Sequence, residues 1–206
     1  MHPLPFFVRM RSITLLSSFF MSLALKETTA IEHNYHDLIS IFNETFSEQF
    51  NTRLIKGDDE PFYSPANKEC HYHQIIFAHG YYSSALHEVS HWCLAGKERR
   101  LLEDFGYWYI PDGRSEQQQK IFEQVEIKPQ AIEWALCIAA QKKFNVSADN
   151  LNGFEADTKE FKRNVHHQVQ QYLKDGFPHC AQQFIEALAN FYQTSLPLCI
   201  EQFQLD

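Results

Sequence analysis

The chain has 206 residues, of which 44% are hydrophobic, close to the roughly 45–50% apolar content of globular domains. This composition excludes a disordered protein, and the length fits one compact domain with a short appendage. The formal net charge is −8, and the basic residues form no cluster, so direct nucleic-acid binding is not expected. The oligomeric state is left open.

The first 30 residues differ from the rest of the chain. Two arginines precede an apolar run over residues 12–25, which is typical of a signal peptide and shorter than the roughly 20 apolar residues of a transmembrane helix. The alternative is that translation starts further in, for example at Met21, and that the first residues come from a wrongly assigned start. We therefore expect an N-terminal extension over 1–30, a separate domain over 31–206, and no stable membrane association.

The cysteines indicate a reducing compartment. Their number is odd and no two have the C-x-x-C spacing, which argues against a secreted disulfide framework and against a cysteine zinc site. The five are Cys70, Cys93, Cys137, Cys180 and Cys199. This pattern predicts free thiols and a cytoplasmic protein.

Helices and short strands alternate in the first half of the predicted domain. Hydrophobic periodicity and β-branched content predict, in chain order, a helix over 33–50, a strand over 52–56, a strand over 72–78 and a helix over 85–95. Ser83 or Ser84 is expected to cap this last helix and Gly96 to end it. The segment between the two strands is predicted to be a turn with three acids, followed by a proline-containing loop.

The second half is predicted to be mostly helical. In chain order the patterns predict a strand over 106–113, a short polar helix over 115–122, a buried helix over 131–140, and two amphipathic helices with stripes over 161–172 and 184–191. Pro129 is expected in the first turn of the buried helix, where its missing N–H costs nothing. The prediction is therefore an α+β fold, a helix-rich single domain with a small sheet.

A His-Glu-x-x-His motif from His87 to His91 lies on the predicted helix over 85–95. Residues four apart share a helix face, so both imidazoles can bind one metal ion while Glu88 reaches its open side. The alternative is a pair of core histidines bonded to backbone, but nothing in a core requires this spacing. We predict His87 and His91 as metal ligands and Glu88 as a catalytic residue.

Two protein ligands are seldom enough, so a third must come from elsewhere in the chain. Glu126, which lies 35 residues after His91 (126 − 91) and just ahead of the predicted buried helix, is the best candidate. Glu123, one turn earlier, is the nearest alternative, and Glu133 is another carboxylate on a similar helix face. Any of these could instead be a surface acid that favours the helix dipole.

Two histidines and one carboxylate fit two chemistries. With zinc, the ion activates a bound water and Glu88 serves as general base, as in a zinc metallopeptidase. With ferrous iron, the three ligands hold one face of an octahedron and leave positions for oxygen chemistry. The spacing alone does not choose between them.

Several further segments occur together with this motif in a known order. They are NTRLIKGDDEP (51–61), FAHG (77–80), HEVSHWC (87–93), DFGYWY (104–109), PDGR (111–114) and VEIKPQA (125–131). In these segments the chain resembles the bacterial elongation factor P hydroxylase family, from roughly residue 33 to the C-terminus. Several motifs in series are far more specific than the metal motif alone.

The resemblance implies a cytoplasmic oxidoreductase that hydroxylates the lysine of elongation factor P after this lysine has received a β-lysyl group. It implies a divalent ion, Fe(2+), held by His87, His91 and Glu126. The motif order differs from that of jelly-roll oxygenases, so the organic co-substrate is left open. A zinc metallopeptidase remains the alternative.

The acidic turn has a candidate role toward such a substrate. Asp58, Asp59 and Glu60 follow the first predicted strand, and opposite charge guides a cationic lysyl group toward an enzyme. The alternative is an ordinary solvated loop. We predict that these three acids contribute to substrate binding.

Overall fold

The computed structural model describes residues 31–106, 112–148, 150, 152–154 and 157–205. Its helices and strands are α1 (Tyr35–Phe50), β1 (Thr52–Lys56), β2 (Phe62–Ser64), β3 (His73–Phe77), α2 (Tyr82–Leu94), α3 (Glu116–Ala139), α4 (Thr158–Asp175) and α5 (His179–Tyr192). Short 3-10 helices cover Arg99–Leu101, Glu103–Gly106 and Ile200–Gln202. The predicted class, a helix-rich domain with a small sheet, is confirmed. Residues 1–30, the predicted extension, lie outside the described residues.

The sheet has three strands in the order β1-β3-β2, with β1 parallel and β2 antiparallel to the central β3. The sequence analysis assigned the segment of β2 to a loop, and that assignment was wrong. Pro61 and Pro65 flank this three-residue strand, and a proline cannot donate to a sheet ladder, which confines it to edges. Tyr63 nevertheless buries its ring, and its hydroxyl donates to the carbonyl of Arg100 at 2.8 Å.

The carboxyl ends of β1 and β3 lie at the same edge because the two strands are parallel. The loop after β1 and the start of α2 therefore meet there, and the amide of Gly57 donates to the carbonyl of Phe77 at 2.8 Å. Gly80 has a φ of +76°, and a Cβ at this position would lie 3.1 Å from the ring of Tyr35. Glycine suits both conditions, so the chain turns tightly from β3 into α2.

The start of α2 differs from the prediction. Tyr81 is the N-cap and makes no side-chain capping bond, so the predicted caps Ser83 and Ser84 both lie in the first turn. The hydroxyl of Ser84 instead accepts a hydrogen bond from the amide of Ala78 at 3.0 Å. This bond fastens the helix to the end of β3.

Helix α3 is continuous across 24 residues, whereas the sequence analysis predicted two helices separated before Pro129. Proline in a helix interior removes one hydrogen bond and costs about 3 kcal/mol. The following segment to Ala139 is buried almost throughout, and this packing outweighs the local cost. Val125, whose carbonyl loses its donor, lies on the exposed side of the helix.

The other helical predictions agree with the structure in most details. The predicted stripes of α4 and α5 face the core through Phe161, Val165, Val169, Phe184, Ile185 and Leu188. Phe191, predicted in the second stripe, is 50% exposed, and its neighbour Tyr192 is buried instead. The predicted strand over 106–113 falls largely outside the described residues, and Gly106 ends a 3-10 helix.

Helices α2 and α3 pack against each other, and an aromatic cluster supports α2 from behind. The ring of Trp92 lies 5.2 Å from that of Phe42 and 4.9 Å from that of Phe46, both on α1. The core thus fixes the back of α2 and leaves its His87 side toward α3. Among the described residues, no helix is both long and apolar enough to cross a bilayer.

Candidate metal centre

Three side chains from two helices converge in this protein. His87 and His91 lie on α2, and their Nε2 atoms are 3.1 Å apart. Glu126 on α3 places one carboxylate oxygen 3.3 Å from Nε2 of His91 and the other 3.6 Å from Nε2 of His87. All three ligand atoms lie within 4.8 Å of one another. The structure therefore brings together the three residues predicted as metal ligands.

These separations are compatible with a single bound ion. Protein nitrogen and oxygen ligands bind transition metals at about 2.0–2.2 Å, which places neighbouring ligand atoms about 3.0–3.4 Å apart at right or tetrahedral angles. Two imidazoles and one carboxylate are also a ligand set that such ions prefer. The separations of 3.1 and 3.3 Å lie within this range and that of 3.6 Å lies just above it, so the residues present fit a divalent metal ion.

The two sides of the group differ in exposure. The side chain of Glu126 is 1% exposed, whereas those of His87 and His91 are 20% and 15% exposed. The core-facing residues of α2, among them Leu86 and Val89, leave the imidazoles on the rim of the buried region. The group is consequently anchored on α3 and accessible from the α2 side.

Glu126 carries its charge inside the protein. Burial alone would raise its pKa, but the neighbouring His91, His87 and the Gln130 amide outweigh burial and lower the pKa to about 2. Nε2 of Gln130 donates to Glu126 at 3.4 Å and to the carbonyl of Ser147 at 2.7 Å. The carboxylate is thus ionised and oriented, as a metal ligand must be.

His87 has a second carboxylate on its other nitrogen. Burial disfavours the charged imidazole, but the hydrogen bond and charge of Glu133, with the charges of Glu126 and Glu88, raise the pKa of His87 well above its ordinary value. Nδ1 of His87 lies 2.9 Å from Oε2 of Glu133. His87 is therefore held between α3 carboxylates on both ring nitrogens.

Glu88 lies beside this group without belonging to it. Burial raises its pKa, the two imidazoles lower it, and Glu126 and Asp104 raise it further. The carboxylate of Asp104 accepts a hydrogen bond from the amide of Tyr63 at 2.8 Å. The backbone of Asp104 has a φ of +45°, which costs a non-glycine residue about 1–3 kcal/mol. Burial, the main cause, and the charges of the two acids disfavour the charged form of Glu88, so Glu88 can hold a proton more readily than a surface glutamate.

The remaining predicted residues lie elsewhere. Glu123, the alternative ligand, accepts a hydrogen bond from Gln119 at 3.0 Å and does not join the three-residue group. The predicted substrate-binding acids lie in the exposed loop between β1 and β2, where Asp58 pairs with Lys56 at 2.5 Å. Their role in substrate binding stays a prediction.

Sequence reasoning missed what Gln130 and Glu133 do. Glu133 was considered only as a ligand or a surface acid, and Gln130 was given no role, yet Gln130 and Glu133 follow Glu126 by four and seven residues and so share its helix face. This spacing was visible in the sequence. The predicted helix boundary before Pro129 concealed it, because residues on separate helices have no common face.

The fold and site define a helix-rich protein with a candidate two-histidine, one-carboxylate metal centre. The family model described as Elongation factor P hydroxylase matches residues 41–203. The Elongation factor P lysine hydroxylase of Haemophilus influenzae is 54% identical over 175 residues, which cover 85% of this chain and 98% of that protein. The chain belongs to the elongation factor P hydroxylase family, and the resemblance predicted from its motifs is confirmed.

Proposed function

We propose that this chain hydroxylates the β-lysylated lysine of elongation factor P through a metal ion held by His87, His91 and Glu126. Family membership makes the protein a hydroxylase and hence an oxidoreductase. The observation that carries the site assignment is the convergence of the three side chains within 4.8 Å. We assign this activity to a single domain over residues 31–206.

We propose Fe(2+) as the ion. Two histidines and one carboxylate are the ligand set of non-haem iron oxygenases, and hydroxylation is an oxidation that zinc, which has no redox chemistry, does not support. When bound, the iron supplies a site for oxygen chemistry at the substrate carbon. The buried charge of Glu126 offsets part of the positive charge of the ion.

The protein residues around the ion have separate tasks in this proposal. His87 and His91 hold it from the accessible side, and Glu126 holds it from the buried side. Glu88 interacts electrostatically with both imidazoles and is assigned to orient a bound water or to move a proton, since burial favours its protonated form. General acid or base catalysis of this kind contributes about 10²- to 10⁴-fold to a rate.

We assign Asp58, Asp59 and Glu60 to attraction of the cationic lysyl group. Their loop follows β1 at the sheet edge where α2 begins, and its backbone is tied to the end of β3 through Gly57. The three side chains are exposed, which suits attraction over a distance of about one Debye length, roughly 8–10 Å.

The cytoplasm is the proposed location. Elongation factor P as a translation factor works there, and the five cysteines are free thiols in the structure, with no disulfide among them. Reduced thiols are typical of this compartment.

The test measures the intact mass of elongation factor P from cells with the gene, without it, and with a His91→Ala copy. We expect a gain of one oxygen that depends on the wild-type gene and is missing with the variant. Elongation factor P that gains the oxygen in cells without the gene would refute the proposed function. Cells with Glu123→Gln serve as the matched control, since Glu123 lies on α3 outside the metal group.

Metal reconstitution decides between the proposed iron enzyme and a zinc metallopeptidase. The specific reason to test zinc is that the motif with a glutamate as third ligand also occurs in zinc hydrolases. Metal-free protein is loaded with Fe(2+) under nitrogen or with Zn(2+), and oxygen transfer and peptide cleavage are both measured. Activity restored by zinc and not by iron would overturn the proposed metal.

A further inference from the structure

Helix α3 contributes more to the centre than one ligand. Glu126, Gln130 and Glu133 occupy positions i, i+4 and i+7 of the helix and so lie on one face. This face is turned toward α2, since Glu126 and Glu133 both contact its histidines. A buried carboxylate is costly unless it has a partner. Packing alone therefore does not explain why two carboxylates on this face are both directed at the imidazole of His87.

The contact between Glu133 and His87 fixes which nitrogen faces the centre. Nδ1 of His87 lies 2.9 Å from Oε2 of Glu133, and Nε2 of the same ring lies 3.1 Å from Nε2 of His91. A metal-binding imidazole is neutral, and in a neutral His87 the carboxylate of Glu133 places the N–H on Nδ1 and leaves the lone pair on Nε2. The lone pair of His87 then points at the position where the three ligand atoms converge.

Glu133 is largely buried. It is 8% exposed, in the buried half of α3 where Ile132 and Trp134 are also buried. Among the described residues, its ion pair and its side-chain hydrogen bond both go to His87. The burial of Glu133 and its 2.9 Å contact with Nδ1 of His87 restrict the ring orientation of His87.

We propose that Glu133 is a positioning residue of the metal centre, which orients His87 for metal binding and makes its Nε2 a stronger ligand. This inference rests on the metal centre of the proposed function. Outer partners of this kind typically change metal affinity by about 10- to 100-fold. Glu133 does not bind the ion, which distinguishes its effect from that of Glu126.

The test measures the dissociation constant of Co(2+), used as a stable probe, for the full chain by chelator competition. We expect Glu133→Ala to weaken binding by about 10- to 100-fold. Glu133→Gln should weaken it less, because the amide oxygen still accepts the Nδ1 hydrogen without the negative charge. Glu123→Gln, the matched control on the same helix, should bind as the wild type does.

A second measurement separates positioning from general damage. The visible absorption spectrum of bound Co(2+) reports ligand geometry, and we expect it to change in Glu133→Ala and to return toward the wild-type spectrum in Glu133→Gln. Wild-type affinity and spectrum in both variants would overturn the proposal, and so would equal losses in Glu123→Gln. If Glu133→Ala fails to fold, the Co(2+) affinity of Glu133→Gln decides: binding weaker than that of the wild type supports the proposal, and wild-type binding overturns it.

The test remains distinct from that of the proposed function. Elongation factor P takes no part in the Co(2+) measurement, so loss of affinity in the Glu133 variants would stand even if elongation factor P gained no oxygen. Wild-type protein that binds no Co(2+) would overturn both proposals, whereas wild-type binding with unaffected variants would overturn only the role of Glu133.

Discussion

The carboxylates of α3 and those of the β1–β2 loop have opposite environments. Glu126 and Glu133 are 1% and 8% exposed and are paired with imidazoles, whereas the loop acids lie in solvent. A buried charge persists only with partners at fixed positions, while an exposed charge is screened by salt within about 10 Å. The buried acids can therefore define a site atom by atom, and the exposed acids can only bias what approaches it.

The largest effect is expected for Glu126→Ala. Changes in outer partners of a metal ligand already cost about 10- to 100-fold in affinity, so loss of the ligand itself should weaken binding by more than about 100-fold and abolish hydroxylation. Metal content by mass spectrometry and a Co(2+) titration measure this. Retention of wild-type affinity would remove the distinction between the two groups of acids.

Glu88→Gln should separate turnover from metal binding. Glu88 interacts electrostatically with both histidines but is not in the ligand group, so we expect metal content to remain and kcat to fall about 10²- to 10⁴-fold, as for loss of a general acid or base. Steady-state rates with saturating metal and saturating elongation factor P give kcat. Metal loss equal to that of Glu126→Ala would contradict both assignments.

Metal removal should have an intermediate effect, which is measured as a loss of thermal stability. An ion at 100 times its dissociation constant stabilises the folded state by about 2.7 kcal/mol, which corresponds to about 5–11 °C in Tm for a chain of this size. We expect a chelator to lower the Tm of the wild type by this amount and to leave that of Glu126→Ala unchanged. A chelator shift in both proteins would indicate a different binding site.

Local patterns predicted the parts of the site that lie within one turn of helix. His87 and His91 are four residues apart, and this spacing alone places them on one face. Glu126 is 35 residues from His91, and it was found from its position before a buried segment. The helix that carries it was predicted to be broken at Pro129, because the local cost of proline is visible in sequence and the tertiary packing that outweighs it is not.

The same argument explains the errors in the sheet and the caps. A three-residue strand such as β2 forms because β3 supplies its ladder, and three residues between prolines carry too little pattern to predict this. The hydroxyl of Ser84 binds the end of β3 rather than its own helix, which depends on the approach of two elements. In each case the deciding partner belongs to another element of the fold, whose approach the local pattern does not show.

The smallest effect is expected in the β1–β2 loop. Each exposed ion pair contributes only about 0.2–1 kcal/mol, so Asp59→Asn should raise KM for elongation factor P by about 1.5- to 5-fold without changing kcat or metal content. Glu48→Gln, which removes one exposed charge from α1, is the matched control and should leave KM unchanged. The rise should shrink at high ionic strength because screening weakens long-range attraction. An Asp59→Asn effect that falls on kcat and ignores salt would mean that this loop contacts the reacting group, and the contrast with α3 would then fail.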